Sequence, residues 1–288
     1  MPQCRQPPAG SLRLPEYDKF PHMKAKMRKI ARLHLVAVVS AAILVGMASC
    51  SKARSQGDDS AAPQTRTVLI TGANRGIGLE LSRQYAEAGW QVIGTARRPD
   101  DAKALRDTGA DVMQLDVTDQ QSVANLALEL DGRPVDMLIN NAGILPLMWK
   151  LEDVDFEKFN QTLAVNAAGP VRVTKALLPN LRAGEMKIIV NVTSNLGSIA
   201  ENADGGFYGY RESKAALNMF TKSLAADLGP EGFTSIVMHP GWVKTDMGGS
   251  SAPVEVEDSA AGIKSVLDSL SPADNGTFWT FEGKQMPW

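Results

Sequence analysis

The chain has 288 residues, of which 44% are hydrophobic and 22% charged, a composition typical of a folded globular protein. Its 30 Lys and Arg against 32 Asp and Glu give a net charge of −2, which excludes a strongly basic nucleic-acid-binding protein and an acidic disordered chain. The charge is unevenly divided, because residues 1–64 carry 10 basic and 4 acidic side chains (+6) and the remaining residues carry 20 and 28 (−8). This division predicts a short N-terminal segment and a separate main domain.

Cysteine and histidine are scarce in the main domain. Both cysteines, Cys4 and Cys50, lie in the N-terminal segment, so a disulfide framework, a cysteine-rich metal site and a cysteine nucleophile are excluded from the main domain. Its single histidine is His239, and no Gly-x-Ser-x-Gly motif accompanies it, which argues against a serine hydrolase. We expect no metal site.

Residues 23–50 resemble an export signal. Residues 1–22 are Pro-rich, and Met23 opens a basic region that is followed by an uncharged stretch of 15 residues, 35–49. That stretch is too short to cross about 30 Å of hydrocarbon comfortably as a helix. Small residues then precede Cys50, as in bacterial lipoprotein signals, although Met47 stands where Leu is usual.

Three interpretations of this segment stay open: lipid attached to Cys50, an uncleaved membrane anchor, or an upstream extension without a targeting role. Residues 1–22 add nothing to the signal, so a true start at Met23 or Met27 is a separate expectation. Residues 51–64 are polar and, as a flexible coil, would reach about 20 Å. The sequence therefore predicts an N-terminal extension with a signal or anchor (1–50), a flexible polar linker (51–64) and one domain (65–288). We expect a bacterial, membrane-associated protein, on a side of the membrane that the sequence leaves open.

Seven apolar segments alternate with helical patterns in the main domain. Because these segments are apolar throughout, they are predicted to be strands buried on both faces of a parallel sheet, with helices above and below. Right-handed crossovers then give a single doubly wound α/β Rossmann fold with its ligand site at the carboxyl ends of the strands. We predict strands at Thr67–Thr71, Gln91–Ala96, Asp111–Val117, Val135–Asn140, Lys187–Thr193, Thr234–Met238 and Thr277–Phe281, and helices at Ile77–Ala88 and Val256–Leu270 among others.

The turn after the first strand has the form of a phosphate-binding loop. Gly72 permits a sharp exit from the strand, Gly76 lets the backbone approach a pyrophosphate, and Gly78, after Ile77, allows close packing of helix on strand. The N-terminus of the following helix adds free N–H groups and a positive dipole. A Gly-rich turn alone is weak evidence, but its place between the first strand and the first helix predicts a dinucleotide site.

The second strand lacks the terminal carboxylate that would hold a ribose 2′-hydroxyl. It is followed instead by Arg97, which with Arg75 is positioned to bind a 2′-phosphate, so NADP(H) is favoured over NAD(H). Asp116, followed by Val117, is positioned to meet the adenine amino group. The alternatives are two solvated surface arginines and an aspartate that caps the next helix.

Four motifs occur in the order seen in short-chain dehydrogenases/reductases. They are Thr71-Gly72-x-x-x-Gly76-x-Gly78, Asn140-Asn141-Ala142-Gly143, Tyr210-x-x-x-Lys214 and Pro240-Gly241. Residues 66–288 therefore resemble this family, and the runs 208–218 and 281–288 resemble its C-factor/Sniffer branch, which is related to carbonyl reductases. Each motif alone is modest, but four in register are specific.

The resemblance implies a catalytic group of Asn166, Ser194, Tyr210 and Lys214. Tyr210 and Lys214 share one helix face, and Lys214 with the oxidised nicotinamide would favour the phenolate. Tyr210 would then exchange a proton with the substrate oxygen while the cofactor exchanges hydride. Ser194, with Thr193 as the local alternative, would hold the carbonyl oxygen, and Asn166 would anchor a relay water to the lysine.

The resemblance also implies further contacts with cofactor and substrate. Asn141, Ala142 and Gly143 would lie beside the ribose, and Pro240, Gly241 and Thr245 beside the nicotinamide carboxamide. Residues 201–206 lengthen the spacing from Ser194 to Tyr210 and are expected to shape the substrate entrance. The loop 247–256 is short and weakly apolar, which favours a small or medium carbonyl compound over a steroid. The family often pairs through the helices that carry Asn166 and Tyr210, so a homo-oligomer is an open expectation.

Two functions are consistent with these features. One is an NADP(H)-dependent oxidoreductase that acts on a small-molecule carbonyl or alcohol. The other is a C-factor-like signalling or surface protein that binds the cofactor with little turnover. The complete catalytic group favours the first, because a binding role alone gives no reason to keep all four side chains.

Overall fold

The computed structural model describes residues 65–288, and the predicted signal and linker segments lie outside the described residues. Seven parallel strands form one sheet in the order β3-β2-β1-β4-β5-β6-β7. The strands are β1 (Thr67–Ile70), β2 (Gln91–Ala96), β3 (Asp111–Gln114), β4 (Met137–Asn140), β5 (Ile188–Val192), β6 (Thr234–His239) and β7 (Phe278–Thr280). The predicted seven-stranded parallel sheet is confirmed.

Helices connect the strands and cover both faces of the sheet. They are α1 (Gly76–Glu87), α2 (Lys103–Arg106), α3 (Gln120–Leu130), α4 (Phe156–Leu163), α5 (Gly169–Ala183), α6 (Tyr210–Leu228) and α7 (Val256–Ser269). A π-helical turn, Ala164–Ala168, joins α4 to α5. Within residues 65–288, no helix combines the length and the apolar character needed to cross a bilayer.

The core has two layers because strand side chains alternate between the two faces of the sheet. Val68 and Ile70 of β1 pack in one layer with residues of α1 and α7, including Leu81 and Ile263. Leu69 packs in the other layer with residues of α3 and α5. The near-continuous apolar strands seen in the sequence thus follow from burial on both sides.

Several strands are shorter than predicted. β3 ends at Gln114 rather than Val117, because the N–H of Asp116 bonds to the Ser122 hydroxyl at 2.8 Å instead of to a strand. Lys187 has a φ of 53°, so β5 begins one residue later than expected. The early end of β3 leaves a polar loop, rather than sheet, at the carboxyl end of that strand.

The order of strands reverses between β1 and β4, which lie side by side at the centre of the sheet. Connections leave these two strands in opposite directions, and the resulting crevice at their carboxyl ends is where ligands bind in open α/β sheets. The loops after β1, β4, β5 and β6 all meet at this edge. These loops, together with the end of β4 and the start of α6, carry the four motifs identified in the sequence.

Candidate active site

The Gly-rich turn after β1 needs its glycines. Gly72 and Gly76 have φ values of 64° and 54°, in the left-handed region that other residues rarely adopt. A Cβ on Gly78 would lie 2.6 Å from the carbonyl oxygen of Gly72 and 2.5 Å from Nδ2 of Asn141. The three glycines therefore let the turn fold tightly and let α1 begin directly above it, as predicted.

Asn141 holds this turn from the neighbouring strand. Its Nδ2 donates to the carbonyl oxygens of Thr71 and Gly72 at 3.0 and 3.1 Å. The N–H groups of Asn141 and Ala142 both donate to Oγ1 of Thr71. Asn141 and Ala142 thus fix the shape of the turn, a contribution that the sequence did not predict.

The N-terminus of α1 suits an anionic group. Its N-cap position is occupied by Arg75, which makes no side-chain cap bond, whereas Asp119 and Asp155 cap the N-termini of α3 and α4. The first N–H groups of α1 therefore stay available beside a turn in which glycines leave room for a close ligand. The residues present fit the pyrophosphate of a dinucleotide.

Polar and charged residues follow β2 and β3 where the adenosine half of a dinucleotide is expected. Arg97 is exposed directly after β2. The hydroxyl of Thr118 donates to Asp116 at 2.6 Å and lowers the pKa of that carboxyl, and the Arg97 charge acts in the same direction. Asp119, not Asp116, caps α3, so the interpretation of Asp116 as the cap of that helix is wrong. Val117, beside it, is buried.

Tyr210 and Lys214 lie one turn apart at the start of α6, and both are buried. Nζ of Lys214 donates to the carbonyl oxygen of Val192 at 2.8 Å and lies 5.6 Å from the centre of the Tyr210 ring. Burial lowers the pKa of Lys214 to about 8. Burial raises the pKa of Tyr210 to about 12, against the opposite influence of the nearby Ser194 hydroxyl. Without cofactor, the protein therefore favours the neutral phenol, and the lowering of this pKa by Lys214 together with the oxidised nicotinamide stays a prediction.

Ser194 follows β5 and begins a short 3₁₀ turn. Its Oγ accepts from the N–H of Leu196 at 3.1 Å and donates to Oδ1 of Asn195 at 3.2 Å. The neighbouring hydroxyl, on Thr193, donates to buried Asn218 at 2.7 Å. The Thr193 hydroxyl thus bonds to a side chain of another element, whereas that of Ser194 bonds only within its own short turn. The role of Ser194 toward a substrate stays a prediction.

Asn218 was missed by sequence reasoning. Its Oδ1 accepts from Thr193, and its Nδ2 donates to the carbonyl oxygen of Gly197 at 3.1 Å, so it bonds to both sides of Ser194. It lies two helical turns beyond Tyr210 on α6, where an asparagine gives no sequence signal of its own. Asn218 thus links the position of Ser194 to the helix that carries Tyr210.

Asn166 lies in the π-helical turn between α4 and α5, fully buried. Its amide exchanges two 2.9 Å hydrogen bonds with the backbone of Ile144 and donates to the Ser213 hydroxyl at 3.0 Å. A Cβ on Gly143 would lie 3.4 Å from Oδ1 of Asn166 and 3.7 Å from Nζ of Lys214, so Gly143 lies between these two side chains. Asn166 therefore joins the loop after β4 to the start of α6, and its link to the lysine through water stays a prediction.

The loop after β6 closes the other side of the crevice. The carbonyl oxygen of Pro240 accepts from the Ser259 hydroxyl at 2.6 Å, and Gly241 has a φ of 88°. The methyl of Thr245 lies 3.2 Å from the place of a Cβ on Gly76, which brings this loop against the Gly-rich turn. Burial lowers the pKa of His239 to about 4, so a neutral imidazole is expected at physiological pH.

Two aromatic side chains, one from the loop after β4 and one from the loop before α6, pack against each other. The rings of Trp149 and Phe207 are 4.1 Å apart. Phe207 has a φ of 52°, which is strained for a bulky residue, and its carbonyl oxygen accepts from the N–H groups of Tyr210 and Arg211. The sequence did not reveal this aromatic pair, and the role of residues 201–206 at the substrate entrance stays a prediction.

Comparisons with known proteins agree with this geometry. The family model described as short chain dehydrogenase matches residues 66–255. The C-signal of Myxococcus xanthus is 50% identical over 155 residues, which cover 54% of this chain and 93% of that protein. The 1-hydroxy-2-glutathionyl-2-methyl-3-butene dehydrogenase of Rhodococcus sp. is 35% identical, and the match covers 77% of this chain and 99% of that protein.

Solved structures of the same kind share the fold. The carbonyl reductase Sniffer of Drosophila melanogaster superposes with a TM-score of 0.72 at 34% identity, over 78% of this chain and 100% of its own. An NADPH-bound carbonyl reductase from chicken fatty liver gives a TM-score of 0.72 at 32% identity, and the match covers 78% of this chain and 99% of that protein. The chain therefore belongs to the short-chain dehydrogenase family.

Proposed function

We propose that this protein is an NADP(H)-dependent oxidoreductase that interconverts a carbonyl compound and an alcohol, with Tyr210 as the general acid and base. The observation that carries the proposal is the burial of Tyr210 and Lys214 on one turn of α6, beside Ser194, at the carboxyl edge of the sheet. Relatives described as an NADPH-bound carbonyl reductase and as a short-chain dehydrogenase/reductase with bound NADP support the same cofactor.

The cofactor, when bound, supplies or accepts a hydride at the substrate carbon. Gly72, Gly76 and Gly78 would hold its pyrophosphate with the N-terminus of α1. Arg75 and Arg97 would bind the 2′-phosphate, because a guanidinium matches a phosphate with paired, charge-assisted hydrogen bonds. The remaining contacts would come from Asp116, Val117, Asn141, Ala142, Gly143, Pro240, Gly241 and Thr245, with Tyr210 and Lys214 at the nicotinamide end.

The protein's own groups manage the proton. With its raised pKa, Tyr210 holds a proton at neutral pH and can donate it to the substrate oxygen during reduction. The Ser194 hydroxyl would exchange its hydrogen bond to Asn195 for one to that oxygen and stabilise the developing charge. Lys214, held by the Val192 carbonyl, keeps a positive charge within reach of the Tyr210 ring and so favours the phenolate left after donation.

The entrance favours a substrate with an apolar body. Large hydrophobic side chains remain exposed on the loops that follow β4, β5 and β6: Leu147, Trp149, Ile199, Trp242 and Met247. Such exposed side chains around a polar reacting centre are typical of sites that bind organic molecules. We therefore propose a small or medium carbonyl compound with an aliphatic or aromatic substituent.

The proposal is tested with the purified full-length protein. NADPH consumption is measured against a panel of aldehydes, ketones and quinones, and NADPH and NADH binding is measured in parallel by fluorescence. Turnover with at least one apolar carbonyl compound is expected. Tight NADPH binding without turnover on any compound would instead favour the cofactor-binding signalling role that the C-signal similarity raises. Binding of neither cofactor would contradict both.

A further inference from the structure

An ion pair joins the two loops that flank the proposed pyrophosphate site. Nη1 of Arg75 donates to Oδ2 of Asp246 at 2.8 Å. Arg75 immediately precedes Gly76 at the start of α1, and Asp246 follows Thr245 in the loop after β6. The two side chains are 67% and 75% exposed, so both are accessible to a ligand entering the crevice.

The loop that carries Asp246 holds its own shape. The indole N–H of Trp242 donates to the carbonyl oxygen of Gly248 at 2.8 Å, and the N–H of Gly249 donates to that of Thr245 at 2.8 Å. The N–H of Lys244 donates to the carbonyl oxygen of Val254 at 2.9 Å. Asp246 is thus presented to Arg75 by a loop with internal bonds, and neutralising its carboxylate leaves those bonds in place.

We propose that Asp246 is a specificity-determining residue for the cofactor: it competes with the 2′-phosphate of NADPH for Arg75 and so weakens NADPH binding while leaving NADH binding unchanged. The inference rests on the proposed function. A phosphate monoester carries close to two negative charges at neutral pH, and it meets a guanidinium already paired with a carboxylate. That carboxylate must leave or stay as a like charge beside the phosphate, and either course disfavours NADPH. NADH has no 2′-phosphate and leaves the pair intact.

Substitution Asp246→Asn removes the competing charge and keeps the size of the side chain. The full-length variant is titrated with NADPH and with NADH, and Kd is measured by nucleotide fluorescence. We expect the Kd for NADPH to fall about threefold to fivefold, the range set by an exposed ion pair, and the Kd for NADH to stay within about twofold. Glu231→Gln is the matched control, because Glu231 also pairs with an arginine, Arg182, but precedes β6 at the opposite edge of the sheet.

A double-mutant cycle ties the effect to Arg75. Arg75→Gln should raise the Kd for NADPH at least about tenfold, and Asp246→Asn should then change it no further. Three outcomes would overturn this inference but not the proposed function: Asp246→Asn changes the Kd for NADH as much as that for NADPH, it leaves the Kd for NADPH unchanged, or its effect persists in the Arg75→Gln background. Failure of the wild type to bind either nucleotide would overturn the proposed function as well.

Discussion

The ammonium group of Lys214 lies 5.6 Å from the centre of the Tyr210 ring, and a hydrogen bond of 2.8 Å to the carbonyl oxygen of Val192 holds it there. Both side chains are buried, and burial moves their pKa values apart, that of Lys214 down to about 8 and that of Tyr210 up to about 12. Tyr210 therefore retains its phenolic proton at neutral pH, and the charge of Lys214 stabilises the phenolate that forms when this proton is donated.

The rate of carbonyl reduction should fall as pH rises through about 8. Above its lowered pKa Lys214 loses the charge that stabilises the phenolate, while Tyr210 still holds its proton. His239, with a pKa lowered to about 4, should add no step near neutrality. Measurement of kcat/KM from about pH 5 to about pH 10 tests this. A rate that climbs between about pH 7 and about pH 9, or a step near the ordinary histidine pKa of about 6.5, would contradict it.

Lys214→Met should change how stability depends on pH. Because the folded-state pKa of Lys214 is lowered, the unfolded chain binds more protons between about pH 8 and the unfolded value of 10.5, and the wild type gains stability as pH rises through that window. The variant lacks this gain. As pH rises from about 8 to about 10.5, the unfolding free energy of the wild type should therefore increase relative to that of the variant by up to about 3 kcal/mol. Urea denaturation at several pH values measures it. Lys222→Met, an exposed lysine of the same helix, is the control, and a difference that is flat with pH would contradict the assignment.

Asn218→Ala should lower kcat about tenfold with little effect on NADPH binding. The variant leaves the Thr193 hydroxyl and the Gly197 carbonyl oxygen without their partner, so the backbone around Ser194 loses its fixed position. It should also cost roughly 1–3 kcal/mol of stability. Asn180→Ala is the control. Asn180 is also buried and its side chain donates to a backbone carbonyl oxygen, that of Arg133, but neither residue belongs to the proposed site. Equal losses of kcat in the two variants at matched stability would show that Asn218 has no positioning role.

Trp149→Ala should raise KM for apolar carbonyl substrates several-fold and leave kcat within about twofold. The variant removes one half of the aromatic pair with Phe207, which on the proposed function would contact the substrate body and take no part in proton transfer. Steady-state kinetics with a bulky aryl ketone and a short aliphatic aldehyde measure the effect, which should be larger for the ketone. A loss confined to kcat would place Trp149 in the chemistry instead.

The sequence predicted the elements and the motif residues because their signals are local. Continuous apolar strands indicate burial on two faces, and the Gly72–Gly78 turn requires glycine for its backbone angles. The contacts that set up the site are not local. Thr193 and Asn218 are 25 residues apart and Arg75 and Asp246 are 171 apart, so only the packed sheet brings each pair together. The positive φ of Phe207 was not predicted for a similar reason, since Phe207 packs against Trp149 from a different loop.

The most direct test of the proposed function is Tyr210→Phe in the full-length protein, with Tyr208→Phe as the matched control. Loss of the phenolic hydroxyl should lower kcat for carbonyl reduction by about 10²–10⁴-fold, the range for a missing general acid, while the Kd for NADPH stays within about twofold. The control should retain wild-type turnover. A Tyr210→Phe variant that still reduces its substrate at a rate near that of the wild type would contradict the assignment of Tyr210 as the proton donor.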